Sequence, residues 1–66
     1  MDHRLLRRMP VVEIKWWKGR TKEQKAKVIA EVTEIFTRQG VPAEQVWVVI
    51  HDVEKSDWGI GGKPSG

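Results

Sequence analysis

The feature that most constrains this chain is that its regular structure amounts to one amphipathic helix between two short strand-like runs. From Val11 to Trp17 the pattern alternates, with Val12, Ile14 and Trp16 on one face and Glu13 and Lys15 on the other beside Val11 and Trp17. That period of two is a β-strand. "KGR" breaks the pattern, and "TKEQ" follows with the form of a capping box, Thr21 capping a helix and Gln24 reaching back to it. A helix of about seventeen residues is expected from Lys22. Val28, Ile29, Val32, Ile35 and Phe36 recur at three- and four-residue spacings as its core face. Glu23 with Lys27 and Glu34 with Arg38 form favourable pairs outside. The helix stops at "QGVP", because Gly40 can adopt the left-handed conformation and Pro42 cannot extend a helix. Residues 46–50, "VWVVI", are β-branched or aromatic on both faces, as in a strand covered on both sides. His51 is expected at the solvent-facing or hydrogen-bonded end of that strand.

Strand, helix and strand make one βαβ unit, with a right-handed crossover and parallel strands. Two strands and one helix cannot cover their own apolar faces, so a second copy is expected to extend the sheet. Composition points the same way. A domain of 66 residues has a marginal core. It contains no cysteine for disulfides, thiolate nucleophiles or thiolate metal sites, and its two histidines, His3 and His51, lack ligand-like spacing. Self-association remains, and four tryptophans in so short a chain suit an interface. Trp16, Trp17 and Trp47 are assigned to the core or to a subunit contact. Absence of cysteine also fits a cytoplasmic protein. No apolar run is long enough to span a bilayer, and no membrane partner is expected. The net charge of +3 lies largely in "HRLLRR". With no nucleic-acid motif on the lysine-bearing helix face, no nucleic-acid partner is expected. "GIGG" lacks the strand-to-helix setting of a phosphate loop. The glycine-rich end has room for a short strand at "WGI" between turns.

Four segments in order, "MPVVEIKWWKGRT", "GRTKEQK", "GVPAEQVWVVIHDV" and "KSDWGIGG", resemble the 4-oxalocrotonate tautomerase family of the tautomerase superfamily. The resemblance runs from Pro10 to about Gly62. It implies an α/β (α+β) fold: a single βαβ unit with a short C-terminal hairpin, dimerising into a four-stranded sheet with two helices, and a hexamer built as a trimer of dimers. Residues 10–62 would form the tautomerase-like domain, residues 1–9 an N-terminal extension or mis-assigned start, and residues 63–66 a tail. The implied activity is cofactor-independent tautomerisation of a 2-hydroxydienoate or related enol or keto acid. Pro10 would be the catalytic base, Arg20 a carboxylate-binding residue and Trp58 the aromatic wall of the pocket.

The residues suit those roles. A proline that begins a chain carries a secondary amine, and α-amino groups titrate near pH 7.7 to 8.0 before any perturbation. An apolar pocket and a neighbouring arginine both disfavour the ammonium form. Arg20 can grip a carboxylate with two parallel hydrogen bonds and offset charge on an enolate oxygen, a geometry lysine does not match. Two departures stand out. Behind Met9 the Pro10 nitrogen is a tertiary amide and no base, so the mature protein is expected to begin at Pro10. The alternative is a catalytically silent oligomeric or interaction module in which residues 1–9 block Pro10. Trp47 occupies the place where the best-known members have a second carboxylate-binding arginine. It is assigned to substrate binding, where an indole donates one hydrogen bond and carries no charge. Preference for a monocarboxylate or aryl enol over a dicarboxylate is expected.

Overall fold

The computed structural model describes residues 9–66. The expected extension at residues 1–9 therefore lies, apart from Met9, outside the described residues. Strand β1 (Val11–Trp17) leads through a short loop to helix α1 (Lys22–Thr37), a 3-10 turn (Ala43–Gln45) and strand β2 (Trp47–Val53). A second 3-10 turn (Lys55–Asp57) precedes the hairpin of β3 (Gly59–Ile60) and β4 (Lys63–Pro64). β1 and β2 pair in parallel, from Val11 opposite Trp47 to Trp17 opposite Val53. This is the expected βαβ unit with its C-terminal hairpin.

The local chemistry behind these elements is visible at their ends. The Thr21 hydroxyl accepts from the Gln24 amide at 3.1 Å while Gln24 Oε1 accepts from the Thr21 amide at 2.9 Å, closing the capping box. A cap of this kind contributes about 1 kcal/mol to the helix. Gly61 and Gly62 adopt φ of 62° and 86°, the paired left-handed conformation of a two-residue hairpin turn that follows strand twist. The Glu34–Arg38 pair forms at 3.6 Å, but both side chains are mostly in water and contribute little.

The helix covers one face of the sheet, and its packing differs from the expected stripe. Lys25, Val28, Val32 and Phe36 are half-buried, whereas Ile29 and Ile35 are exposed. A stripe of five apolar residues is wider than the contact between one helix and two strands, so its flanks remain in water. β2 also runs beyond the expected residues 46–50, through His51 and Asp52 to Val53. His51 is consequently an interior strand position opposite Lys15, with its Nε2 buried and unpartnered among the described residues.

Among the described residues nothing covers the opposite sheet face. Val11 and Trp47, register partners, are 58% and 56% exposed, and Val49 beside them is exposed too. Among the described residues Val46 alone counts as buried, at 9% exposure, and no side chain is fully enclosed. The described residues of one copy form no conventional core. Among the described residues no helix is long and apolar enough to cross a membrane.

One polar cluster ties all three main elements together at the carboxyl end of the strands. Trp16 and Asp52 are register partners, and the Trp16 indole N–H donates to Asp52 Oδ1 at 2.7 Å. Lys25, in the first turns of α1, donates to the other carboxylate oxygen. Hydrogen bonds from Lys25 and then Trp16 hold the Asp52 carboxyl below its ordinary value of 3.8, against a smaller opposing effect of desolvation; the Lys25 and Arg20 charges act in the same lowering direction. A depressed folded-state value contributes stability above the unfolded pKa that is lost as pH falls through the folded one. Asp52→Asn should therefore be less stable than wild type at neutral pH, and the difference should shrink progressively below about pH 5. Parallel melting curves of the two proteins from pH 7 to pH 2 would check this, and a pH-independent difference would contradict it.

Candidate active site

The loop between β1 and α1 places the first candidate. Gly19 at φ 137°, outside the range of most side chains, turns the chain after Lys18, and Arg20 follows just before the helix cap. The Arg20 guanidinium lies over the Trp16 ring, 4.1 Å from its centroid. Trp58 arrives from the other end of the chain. It follows the Lys55–Asp57 turn, its amide donating to the Lys55 carbonyl at 3.1 Å, and its own carbonyl accepts from Ser65 N–H at 2.8 Å. The hairpin thus fixes Trp58 on both sides. Its ring meets Trp17 edge to face, with centroids 6.0 Å apart and planes at 76°. Lys55 Nζ sits 4.8 Å from the Trp17 centroid.

Together Lys15, Trp16, Trp17, Arg20 and Trp58 line an open pocket of about 230 Å³. Three indoles and two cations with no carboxylate in the lining make a site for a planar, negatively charged molecule. Aromatic faces supply apolar contact area, and the guanidinium supplies a charged two-pronged donor. Among the described residues no three acidic or histidine side chains gather as a metal site.

Pro10 and Trp47 lie elsewhere. Pro10 is half-buried ahead of β1, where its carbonyl accepts from the Trp47 amide at 3.0 Å. Six strand steps separate Pro10 from Trp16, about 20 Å at strand rise. The chain therefore brings Arg20 to Trp58 and Pro10 to Trp47, but leaves the two pairs at opposite ends of β1. A single protomer does not assemble all four.

Sequence reasoning assigned Trp16 and Trp17 to core or interface, and did not single out Lys15, Lys25 or Asp52. Consecutive tryptophans at a strand end point to opposite faces, so one supports Arg20 while the other meets Trp58. The Trp16–Asp52 bond depends on strand register. That could have been found by aligning the two strands from Val11 and Trp47.

The geometry agrees with comparisons to known proteins. A family profile described as tautomerase enzyme matches residues 10–66. The 2-hydroxymuconate tautomerase of Comamonas testosteroni is 46% identical over 55 residues, which cover 82% of this chain and 87% of that one. A solved structure of the 4-oxalocrotonate tautomerase isozymes from Methylibium petroleiphilum is 47% identical with a TM-score of 0.76, covering 85% of this chain and 92% of the other. A fused 4-OT solved as an asymmetric trimer is 32% identical with a TM-score of 0.79, covering 88% of this chain and 48% of its own length. Matched along nearly all of its described length, this chain belongs to the 4-oxalocrotonate tautomerase family of the tautomerase superfamily and is an isomerase of the tautomerase class.

Proposed function

We propose that this tautomerase moves a proton within a 2-hydroxydienoate or related enol or keto acid without a cofactor, using the amine of an N-terminal Pro10 as acid and base. The observation that carries this assignment is the pairing of Arg20 with an aromatic pocket empty of carboxylates. Arg20 holds the substrate carboxylate and offsets charge as it develops on the neighbouring oxygen. Trp58, with Trp17, walls the pocket and limits water. The Pro10 nitrogen takes a proton from the enol and returns it to a more distant carbon of the conjugated system, so the amine ends each cycle as it began. Trp47, beside Pro10, meets the far end of the substrate with an uncharged ring, which favours monocarboxylates and aryl enols.

Completing that site requires more than one copy. Because Pro10 lies about 20 Å along β1 from the Arg20 pocket, the base of one protomer meets the pocket of another. Exposed Val11, Trp47 and Val49 supply apolar surface for such assembly. A dimer-based homo-oligomer, a hexamer in its full form, satisfies both needs, and the fused relative solved as a trimer supports assembly from several chains.

The amine mechanism requires that the nitrogen be free. A chain beginning at Pro10 should ketonise 2-hydroxymuconate or phenylenolpyruvate, whereas a chain retaining Met1 to Met9 should not; equal rates in a spectrophotometric assay would reject Pro10 as the base. In the active form, Arg20→Ala should lower kcat/KM for carboxylate substrates by about tenfold or more, the loss of a charge-assisted bidentate bond. Sharing between copies has its own test. Arg20→Ala chains and chains whose Pro10 amine is blocked, each strongly impaired alone, should rise above either parent to about a quarter of wild-type activity when unfolded and reassembled at equal ratio, the statistical share of intact sites in a symmetric oligomer. No recovery in oligomers shown by mass to be mixed would place the whole site within one chain.

A further inference from the structure

Of the Trp16–Asp52–Lys25 cluster only Trp16 lines the pocket, and Asp52 and Lys25 stand behind it, yet the cluster ends on Arg20, the residue that the pocket depends on. We infer that Trp16 is a positioning residue for Arg20, a flat platform that Asp52 fixes in place and on which the guanidinium is preset for a carboxylate. This rests on Arg20 being the carboxylate-binding residue.

Each contact has a separate physical reason. An arginine in a loop ahead of a helix cap ordinarily samples many rotamers in water, and ordering it on binding weakens affinity. Here the guanidinium is stacked over an indole at 4.1 Å, where the ring's negative face attracts it. Stacking leaves the in-plane N–H groups free to point at a ligand, unlike a salt bridge, which would occupy them. Arg20 forms no ion pair among the described residues, whereas Lys18, Lys25 and Arg38 all do. Asp52, whose carboxyl pKa the Arg20 charge helps to lower, is engaged by Trp16 and Lys25 instead. Asp52 therefore has two effects. It locks the indole by accepting its N–H at 2.7 Å. With Lys25 as its ionic partner, it is also kept from competing with substrate for Arg20.

The platform is assembled from sequence positions 16, 25 and 52, one from each main element, so the orientation of Arg20 is coupled to docking of the helix on the sheet. A lone surface arginine would have no such dependence.

Nuclear magnetic resonance on the full chain tests the platform directly. Arg20 δ-methylene and Nε–H protons should be shifted upfield by the Trp16 ring current. The shift should vanish in Trp16→Leu, diminish in Asp52→Ala and persist largely in Trp16→Phe, which keeps an aromatic face. Titration with cinnamate, a planar carboxylate, reads the functional consequence. Arg20→Ala should weaken binding by more than tenfold. Trp16→Leu should weaken it by about five- to tenfold and Trp16→Phe by less. Asp52→Asn, which retains an acceptor for the indole, should lose about twofold, and Asp52→Ala more. The Arg20→Ala, Trp16→Leu double variant should bind no more weakly than Arg20→Ala, because Trp16 acts through Arg20.

An unshifted Arg20 in wild type overturns the inference. So does a folded Trp16→Leu protein that binds cinnamate as wild type does while Arg20→Ala does not, or losses that multiply in the double variant. Should Trp16→Leu fail to fold, Trp16→Phe and the Asp52 pair decide on the same criteria. If cinnamate does not distinguish wild type from Arg20→Ala, the carboxylate role of Arg20 fails instead, and the ring-current shift still decides whether Trp16 holds the guanidinium.

Discussion

A sheet of two strands that the described residues cover on one face only is the constraint from which everything else in this structure follows. Helix α1 spans 16 residues and shelters one side of β1 and β2, leaving Val11, Trp47 and Val49 in water on the other. Burying even half of that exposed aliphatic and aromatic surface stabilises by several times the roughly 1 kcal/mol supplied by the helix cap. Local signals therefore shape the unit without completing it. In the proposed assembly stability and site formation have the same origin, since the contact that covers the open face also brings the Pro10 end of one copy to the aromatic pocket of another.

Polar groups are arranged with similar economy at the carboxyl ends of the strands. Arg20 and Lys55 lie over the Trp16 and Trp17 rings, Lys15 lines the pocket while paired with Glu13 at 3.5 Å, and Asp52 is tied to Trp16 and Lys25. Cations spread over aromatic faces remain available to an anion. Cations paired with surface carboxylates would have to break those pairs first. An open pocket can consequently favour negative charge while the chain as a whole carries only +3.

How much of this could be read from the sequence depended on the range of each interaction. The capping box at Thr21 and Gln24 and the stop at Gly40, with φ 94°, involve neighbours within a few positions and were legible. So were the strand alternation of β1 and the turn that separates it from the helix. Ile29 and Ile35 were placed wrongly on the core face, because periodicity fixes which residues share a stripe but not how much of that stripe a neighbouring sheet can cover. The extension of β2 through His51 and Asp52 was hidden for a related reason: polar residues at the end of a strand are retained by pairing with β1, which no local window contains. Arg20 and Trp58 were recognisable only through family resemblance. Trp16 needed the strand register, and the separation of Pro10 from Arg20 needed the fold.

Pro10 shows how one position can separate structure from chemistry. Its carbonyl joins the ladder through the Trp47 amide at 3.0 Å, and its nitrogen has no proton to donate while Met9 is attached; freed, it becomes a secondary amine. Removing the preceding residues therefore deletes no ladder donor and leaves this hydrogen bond intact. What changes is the lone pair, delocalised into a carbonyl in the acylated form and available to a proton in the free form. A proline at the head of β1 is thus the residue with which the fold is least sensitive to processing and the chemistry most sensitive.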